Sequence, residues 1–403
     1  MKPAPVQNSS SVATLRLSFT SMFSNCVAPD NYRDYPDTKL VKVEGSQPIA
    51  IGSCTFSSLF TMLVVFLFIP IFLTAQIDSL KTIDTSWNKS VGIEKEPKIF
   101  SDPMVRKALS TAEWNRRYLS PEQKTKRQLL IGGLNVVGYG TSIVIFNNTW
   151  YKDYPKTSFH TFNDSKEWLQ MDKAGHGWAA YNSARISSAM WAWTGVGAKK
   201  ATWIGGLSSS VYLTVIEILD AHSAKWGWSW ADMGANVFGS GLFISQQLGW
   251  KEQRIQFKFS FHRKNYSDPM LNERSDELFG NTWTERMLKD YNGQTYWLSA
   301  NMKSFFPKSN LPAWLNVAIG YGADGMFGGF ENKWIDGDPG FPIDRTDIKR
   351  YRQWYLAPDI DFTKIATDKK ALRSLFFFLN AFKFPMPSLE LSNGKFKVNA
   401  IHF

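Results

Sequence analysis

Cysteine is almost missing from this chain: two in 403 residues, Cys26 and Cys54, both upstream of an apolar run at Phe60–Ala75. If the chain is cut after that run, the remainder has no thiol, which excludes a disulfide framework and any cysteine-ligated metal. Also missing is a run of Lys and Arg interleaved with a nucleic-acid-binding motif, although the net charge is +11. The basic residues are scattered, so nucleic acid is set aside as a partner, and a basic surface facing anionic lipid or peptidoglycan is the milder meaning. No nucleophile elbow, P-loop, dinucleotide fingerprint or zinc-protease motif occurs. Aromatic side chains are abundant instead, 15% with 17 Trp and 30 Phe, at a mean hydropathy of −0.25. That mixture suits a membrane interface, where indole and phenol rings sit at headgroup depth.

The apolar stretch from Met62 to Leu73, followed by Thr74-Ala75-Gln76, has the h-region and small residue of a signal peptide, with Gln76 as the expected mature start. Residues 1–61 are then a non-native or disordered extension, polar and unpatterned, with translation beginning at Met62. The competing reading is an uncleaved anchor over Phe56–Ala75, about the 20 residues a bilayer crossing needs. Residues 1–75 hold five basic and four acidic residues, so the basic character survives their removal. Residues 76–126 read as a polar periplasmic lead-in with a helix around Pro103–Arg117.

From residue 127 to 253 the chain reads as a glycine-rich helical domain. Leu129–Asn147 runs nineteen residues without a charge, and Gly132, Gly133, Gly138 and Gly140 are expected to let a neighbouring helix approach closely. Three further helices are expected at about Asp164–Trp193, Lys199–His222 and Ser229–Leu248, with Gly-bearing turns between them. Each is interrupted by ionisable groups that are costly unless they face one another, so Asp172, Lys173, His176, Arg185, Glu217, Asp220 and Asp232 should converge inside the bundle.

The spacing supports that convergence. Asp172 and His176 are four apart and share a helix face, Glu217 and Asp220 are three apart, and Asp232 and Asn236 are again four apart. Such pairs bind divalent metal or run general acid/base chemistry. They also satisfy one another as a core network that fixes helix register. Asp172, His176, Glu217, Asp220 and Asp232 are therefore the candidate catalytic residues, and the first four of them the candidate ligands of a divalent metal. Ser229 reads as the N-cap of the helix carrying Asp232, and His222 as a helix-end residue.

Asp172-Lys173-x-x-His176, Glu217-x-x-Asp220 and Gly227-Trp228-Ser229-Trp230-Ala231-Asp232, with Asn236 and Gly239 after it, resemble the uncharacterised YfiM-like family of bacterial lipoproteins over about residues 127–260. The larger exported members in Bacteroidetes are similar also through Phe159-His160-Thr161-Phe162-Asn163-Asp164. The resemblance implies an envelope protein and brings no reaction with it. Asn236 stands where the smaller relatives are expected to have Asp, which weakens a ligand role there, and no lipobox cysteine follows the export segment.

Residues 254–403 read as β-rich. Ile255–His262 alternates apolar and polar residues, and the tendency returns in Gln294–Asn301, Leu315–Tyr321, Arg352–Phe362, Leu379–Phe384 and Lys395–Phe403. The alternation slips by one place at Ala400-Ile401. Tyr321–Gly325 and Ser392-Asn393-Gly394 supply turns, and Asn332–Asp347 reads as a solvated acidic loop without the calcium-loop pattern. The expected fold is thus α+β and membrane-associated: a glycine-rich helical bundle followed by antiparallel strands, outer-membrane barrel-like or an ordinary sheet. The expected role is a structural or assembly component of the cell envelope at the outer membrane or its periplasmic face, with membrane lipid and other envelope proteins as partners. A metal- or His-dependent envelope hydrolase and a small pore or transporter are the alternatives.

Overall fold

The computed structural model describes residues 111–147, 151, 154–337 and 340–402. The export segment, both cysteines, the lead-in before residue 111 and Phe403 lie outside the described residues.

The helical half begins with α1 (Thr111–Tyr118) and α2 (Pro121–Phe146). Ser120 caps α2 in a capping box with Gln123, and Pro121 occupies the first turn, where no backbone donor is lost. Then come α3 (Met171–Trp193), α4 (Ala198–Ala221) and α5 (Trp230–Gly249). Helix α3 starts at Met171, seven residues later than the sequence predicts. Trp168, Leu169 and Gln170 before it all take positive φ (48°, 50° and 67°), which no continuing right-handed helix permits. Ser229 caps α5, its hydroxyl accepting from the Asp232 N–H.

The glycines expected to allow close packing are not those that do so. Gly132, Gly133 and Gly140 on α2 have open space where a Cβ would stand, whereas a Cβ on Gly205 of α4 would lie 2.6 Å from the Ala184 carbonyl oxygen of α3. A Cβ on Gly239 of α5 would collide with the Gly177 carbonyl of α3. Close approach therefore joins α3, α4 and α5 and leaves α2 at the side. Among the described residues α4 is the one helix long and apolar enough to cross a membrane, by length and composition.

The second half is mixed. Strand β1 (Ile255–Phe261) leads into α6 (Pro269–Phe279) and α7 (Trp283–Lys289), then β2 (Gln294–Asn301), a single turn α8 (Met302–Phe305) and β3 (Leu315–Asp324). A small hairpin, β4 (Lys333–Asp336) with β5 (Phe341–Asp344), replaces the expected acidic loop. Strand β6 (Tyr351–Ile360), α9 (Lys370–Leu379), β7 (Met386–Ser392) and β8 (Lys395–His402) complete it. The expected strand at Leu379–Phe384 is instead the end of α9 and a connector, in which Phe382 makes one isolated parallel bridge to Phe259. Asn393 and Gly394 both take positive φ and turn β7 tightly into β8.

The large sheet runs β1-β2-β3-β6-β7-β8 with every pair antiparallel, which fits the α+β class. The barrel-like expectation is corrected: among the described residues the sheet is open, and β1 and β8 do not pair. Six strands fall short of the roughly eight of the smallest outer-membrane barrels. The outer edge of β1 is met by the connector, where the Phe259 N–H donates to Ala381 O and the Lys383 N–H donates to Phe259 O.

One face of β1 and β2 carries Phe257, Phe259 and Tyr296, which pack on Trp178 and Tyr181 of α3 and Phe243 of α5 to form the main core. The other face is buried and mixes an apolar cluster of Trp297, Ala318, Tyr355 and Ala357 with polar groups. Lys258 and Asp359 form an ion pair at 2.8 Å with both side chains fully enclosed, Ser299 donates to Asp359 and Trp297 Nε1 donates to Ser260.

Candidate functional site

The polar groups of α3, α4 and α5 meet because those three helices cross at glycines. Asp172 and His176 stand one turn apart on α3, Glu217 faces them from α4, and Asp232 and Asn236 stand one turn apart on α5. His176 Nε2 lies 3.9 Å from Asp172 Oδ1 and 3.8 Å from Asp232 Oδ1, and its Nδ1 lies 3.7 Å from Glu217 Oε1. Nδ1 also lies 3.2 Å from Asn236 Oδ1. In this arrangement Asn236 Oδ1 can accept from an Nδ1–H, and Nε2 faces the two aspartates.

Lys173 is the centre of charge. Its ammonium lies 2.5 Å from Asp164, 2.9 Å from Asp172 and 2.9 Å from Asp232. Asp164, in the segment before α3, accepts from Ser229 Oγ at 2.5 Å, and that hydroxyl also caps α5. Tyr291, just after α7, donates to Asp172 Oδ1 at 3.0 Å and ties the network to the second half of the chain.

Burial opposes charge on His176, Asp172 and Asp232, and the partners decide the outcome. His176 is desolvated, yet Asp232, Asp172 and Glu217 more than offset this and raise its pKa to about 9. Burial also works against Asp172, but Lys173 and His176 hold it below the usual carboxylate range. Asp232 is pushed upward, first by burial and then by the charge of Asp172. Two such carboxylates titrate as a pair. Glu217 is buried, and its Oε1 has no hydrogen-bond partner.

Four of the five sequence candidates, Asp172, His176, Glu217 and Asp232, come together. Asp220 does not: it faces Tyr151, whose hydroxyl donates to Asp220 Oδ1 at 2.8 Å. Arg185 also stays apart, donating to Phe377 O at 2.7 Å and lying over the Phe377 ring. His222 caps the end of α4, as expected. Spacing along the chain does not reveal Asp164 and Tyr291 as members. Asp164 carries a signal only as part of the Phe159–Asp164 run, and Tyr291 lies over a hundred positions away with no periodicity to mark it.

Asp172, His176 and Asp232 are the one group among the described residues whose ligand atoms, all within 4.8 Å of one another, could hold a metal ion. Two carboxylates and an imidazole are a suitable donor set, and Asn236 behind Nδ1 orients the ring as outer partners of metal-binding histidines do. Glu217 Oε1 lies on the same side of the ring as Asn236, and Lys173 already places one positive charge between the carboxylates.

No curated protein and no solved structure matches the chain. Residues 161–246, which supply Asp164, Lys173, His176, Glu217, Asp232 and Asn236, match the family described as predicted periplasmic lipoprotein (DUF2279), a domain of unknown function.

Proposed function

We propose that this protein is a structural or assembly component of the bacterial cell envelope, at the outer membrane or its periplasmic face, in which the Lys173 network ties α3 to α5 and, through Tyr291, to the second half of the chain. The observation that carries the reading is one ammonium shared by carboxylates from three separate places, Asp164 before α3, Asp172 on α3 and Asp232 on α5. Such a network fixes register, because sliding any one helix would strand a buried charge. The family description supports an envelope location. The test compares Lys173→Met and His176→Ala in envelope fractions. Loss of the folded protein with Lys173→Met, and a proportionate loss of any envelope phenotype, supports the reading. Full stability with lost phenotype in either variant overturns it.

A second reading, a divalent-cation site at Asp172, His176 and Asp232, is favoured by their mutual distances. A bound cation there would polarise water, which is the chemistry a hydrolase of envelope material requires. Its test is thermal unfolding with and without added zinc or manganese. A rise in Tm that disappears in Asp232→Asn supports it, and no change in the unsubstituted protein removes it.

A further inference from the structure

The sheet face that α3 and α5 cover at Phe257, Phe259 and Tyr296 continues uncovered toward β8. Across five adjacent strands Leu298, Ile319, Leu356, Leu389 and Val398 are direct cross-strand neighbours, and all five are between 40% and 77% exposed. The next row, Tyr321, Trp354, Leu391 and Phe396, continues the same face. Between these positions the strands bury Asn316, Gln353, Asp359, Ser388 and Glu390, beside one small apolar cluster of Trp297, Ala318, Tyr355 and Ala357. A sheet in water on one side puts its apolar face inward. Here α3 and α5 cover that face only at β1 and β2, and the remaining apolar band is unfavourable in water unless it meets something apolar.

We infer that this outer face is a lipid-contact surface, seated against the acyl chains of an envelope membrane. Three observations favour lipid over a second protein. First, apolar-out and polar-in alternation on neighbouring antiparallel strands is the arrangement of strands bathed in hydrocarbon. Second, the band has an interfacial border: Tyr321 and Trp354 pack ring against ring at 4.9 Å, and Arg352, the next outward position on β6, is exposed beyond them. Aromatic rings and a long cation at one edge of an apolar band match headgroup depth. Third, the apolar surface is not confined to the sheet. Phe238 of α5, Phe257, Tyr321 and Trp354 line one open groove of about 390 Å³ with Lys173 and Arg352, and Trp203, Leu207 and Val211 form an exposed stripe along α4. A fluid solvent covers sheet and helices together, whereas a docked protein covers one patch.

The inference rests on the envelope location proposed above and is independent of the role given to Lys173. The full chain carrying Cys26→Ser and Cys54→Ser receives one of Ile319→Cys, Leu356→Cys or Val398→Cys, a nitroxide label, and reconstitution into vesicles of phosphatidylethanolamine and phosphatidylglycerol. The control is Asp347→Cys, at a solvent-exposed side chain. Lipid contact requires oxygen to relax the three sheet labels several-fold more than a water-soluble nickel chelate does, with the reverse at position 347. Nickel access equal to that at 347 overturns the proposal by placing the face in water. Exclusion of both reagents, or broadening from label-label contact, overturns it in favour of a protein partner or a second copy. Because reconstitution bypasses the cell, failure here is distinct from failure of the envelope location, which fractionation reports.

Discussion

His402 stacks on Tyr355 with ring centroids 4.2 Å apart and an interplanar angle of 25°. Strict alternation along β8 would forbid this, because Phe396 and Val398 point outward and an even-numbered His402 would follow them. The β7–β8 register shifts instead, with Met386 opposite His402 and Ser388 opposite Asn399. Two residues, Ala400 and Ile401, thus stand against one, which is a β-bulge. It turns Ile401 outward and His402 inward, within reach of Trp297, Thr295 and His262.

That inward histidine makes the sheet acid-sensitive. Burial is the main cause holding both His262 and His402 down, to about 4, with Lys264 next for His262 and His262 next for His402. The unfolded chain protonates its histidines near pH 6.5, so between about 6.5 and 4 it binds more protons than the folded chain and stability falls with pH. The expected loss is on the order of 2–3 kcal/mol per histidine by pH 4. Denaturant unfolding at pH 7.5 and pH 4.5 measures it, and His402→Gln should flatten the dependence. An unchanged slope in that variant would refute the assignment.

Lys258→Met should destabilise the sheet by about 3–5 kcal/mol, since it leaves Asp359 buried without its close cation. Lys383 stands 3.9 Å from Asp359 and cannot replace the 2.8 Å pair without moving. The double variant Lys258→Met/Asp359→Asn should recover a large part of the loss. Equilibrium unfolding of the three proteins decides it, and equal stability of the single variant and the parent would contradict the argument.

Gly205→Ala tests the crossing of α3 and α4. Its added methyl would meet the Ala184 carbonyl and the Ser188 backbone at 2.6 Å, so the helices must part, at about 1–3 kcal/mol. Gly132→Ala, with open space around it, should instead leave stability unchanged or gain up to about 1 kcal/mol from helix propensity. A reversed ranking in thermal unfolding would mean that the helices meet elsewhere.

Lys173→Met and His176→Ala should differ in severity. Removing Lys173 exposes three carboxylates to one another, an expected loss of about 3–5 kcal/mol. Removing His176 leaves Lys173 in place to neutralise Asp172 and Asp232, so the loss should stay near 1–3 kcal/mol. Comparable losses for the two would show that His176 carries as much of the network as Lys173 does.

Much of this protein is legible in its residue order. The local periodicities mark β1, β2, β6 and β8 to within two residues and the start of β3, whose last three residues read as a turn, because alternation along a strand is written in consecutive positions. The i, i+4 pairs on α3 and α5 are visible for the same reason, and the slip at Ala400-Ile401 marks the bulge. Helices α6, α7 and α9 are hidden inside a stretch that reads as β-rich, where capping signals at Asp268 and Thr282 go against the expectation of strands.

Residue order alone set most of the elements, the likeness to a periplasmic lipoprotein domain, and the residue types from which a buried polar cluster had to be built. Packing in three dimensions chose which of them meet. Asp164 and Tyr291 join Asp172 while Asp220 turns to Tyr151, because helix crossings at Gly205 and Gly239 set distances that no spacing along the chain encodes. Packing also chose which sheet face is enclosed: alternation names two faces, and only the tertiary structure buries the one carrying Lys258 and Asp359 while α3 and α5 cover the apolar one at β1 and β2 alone.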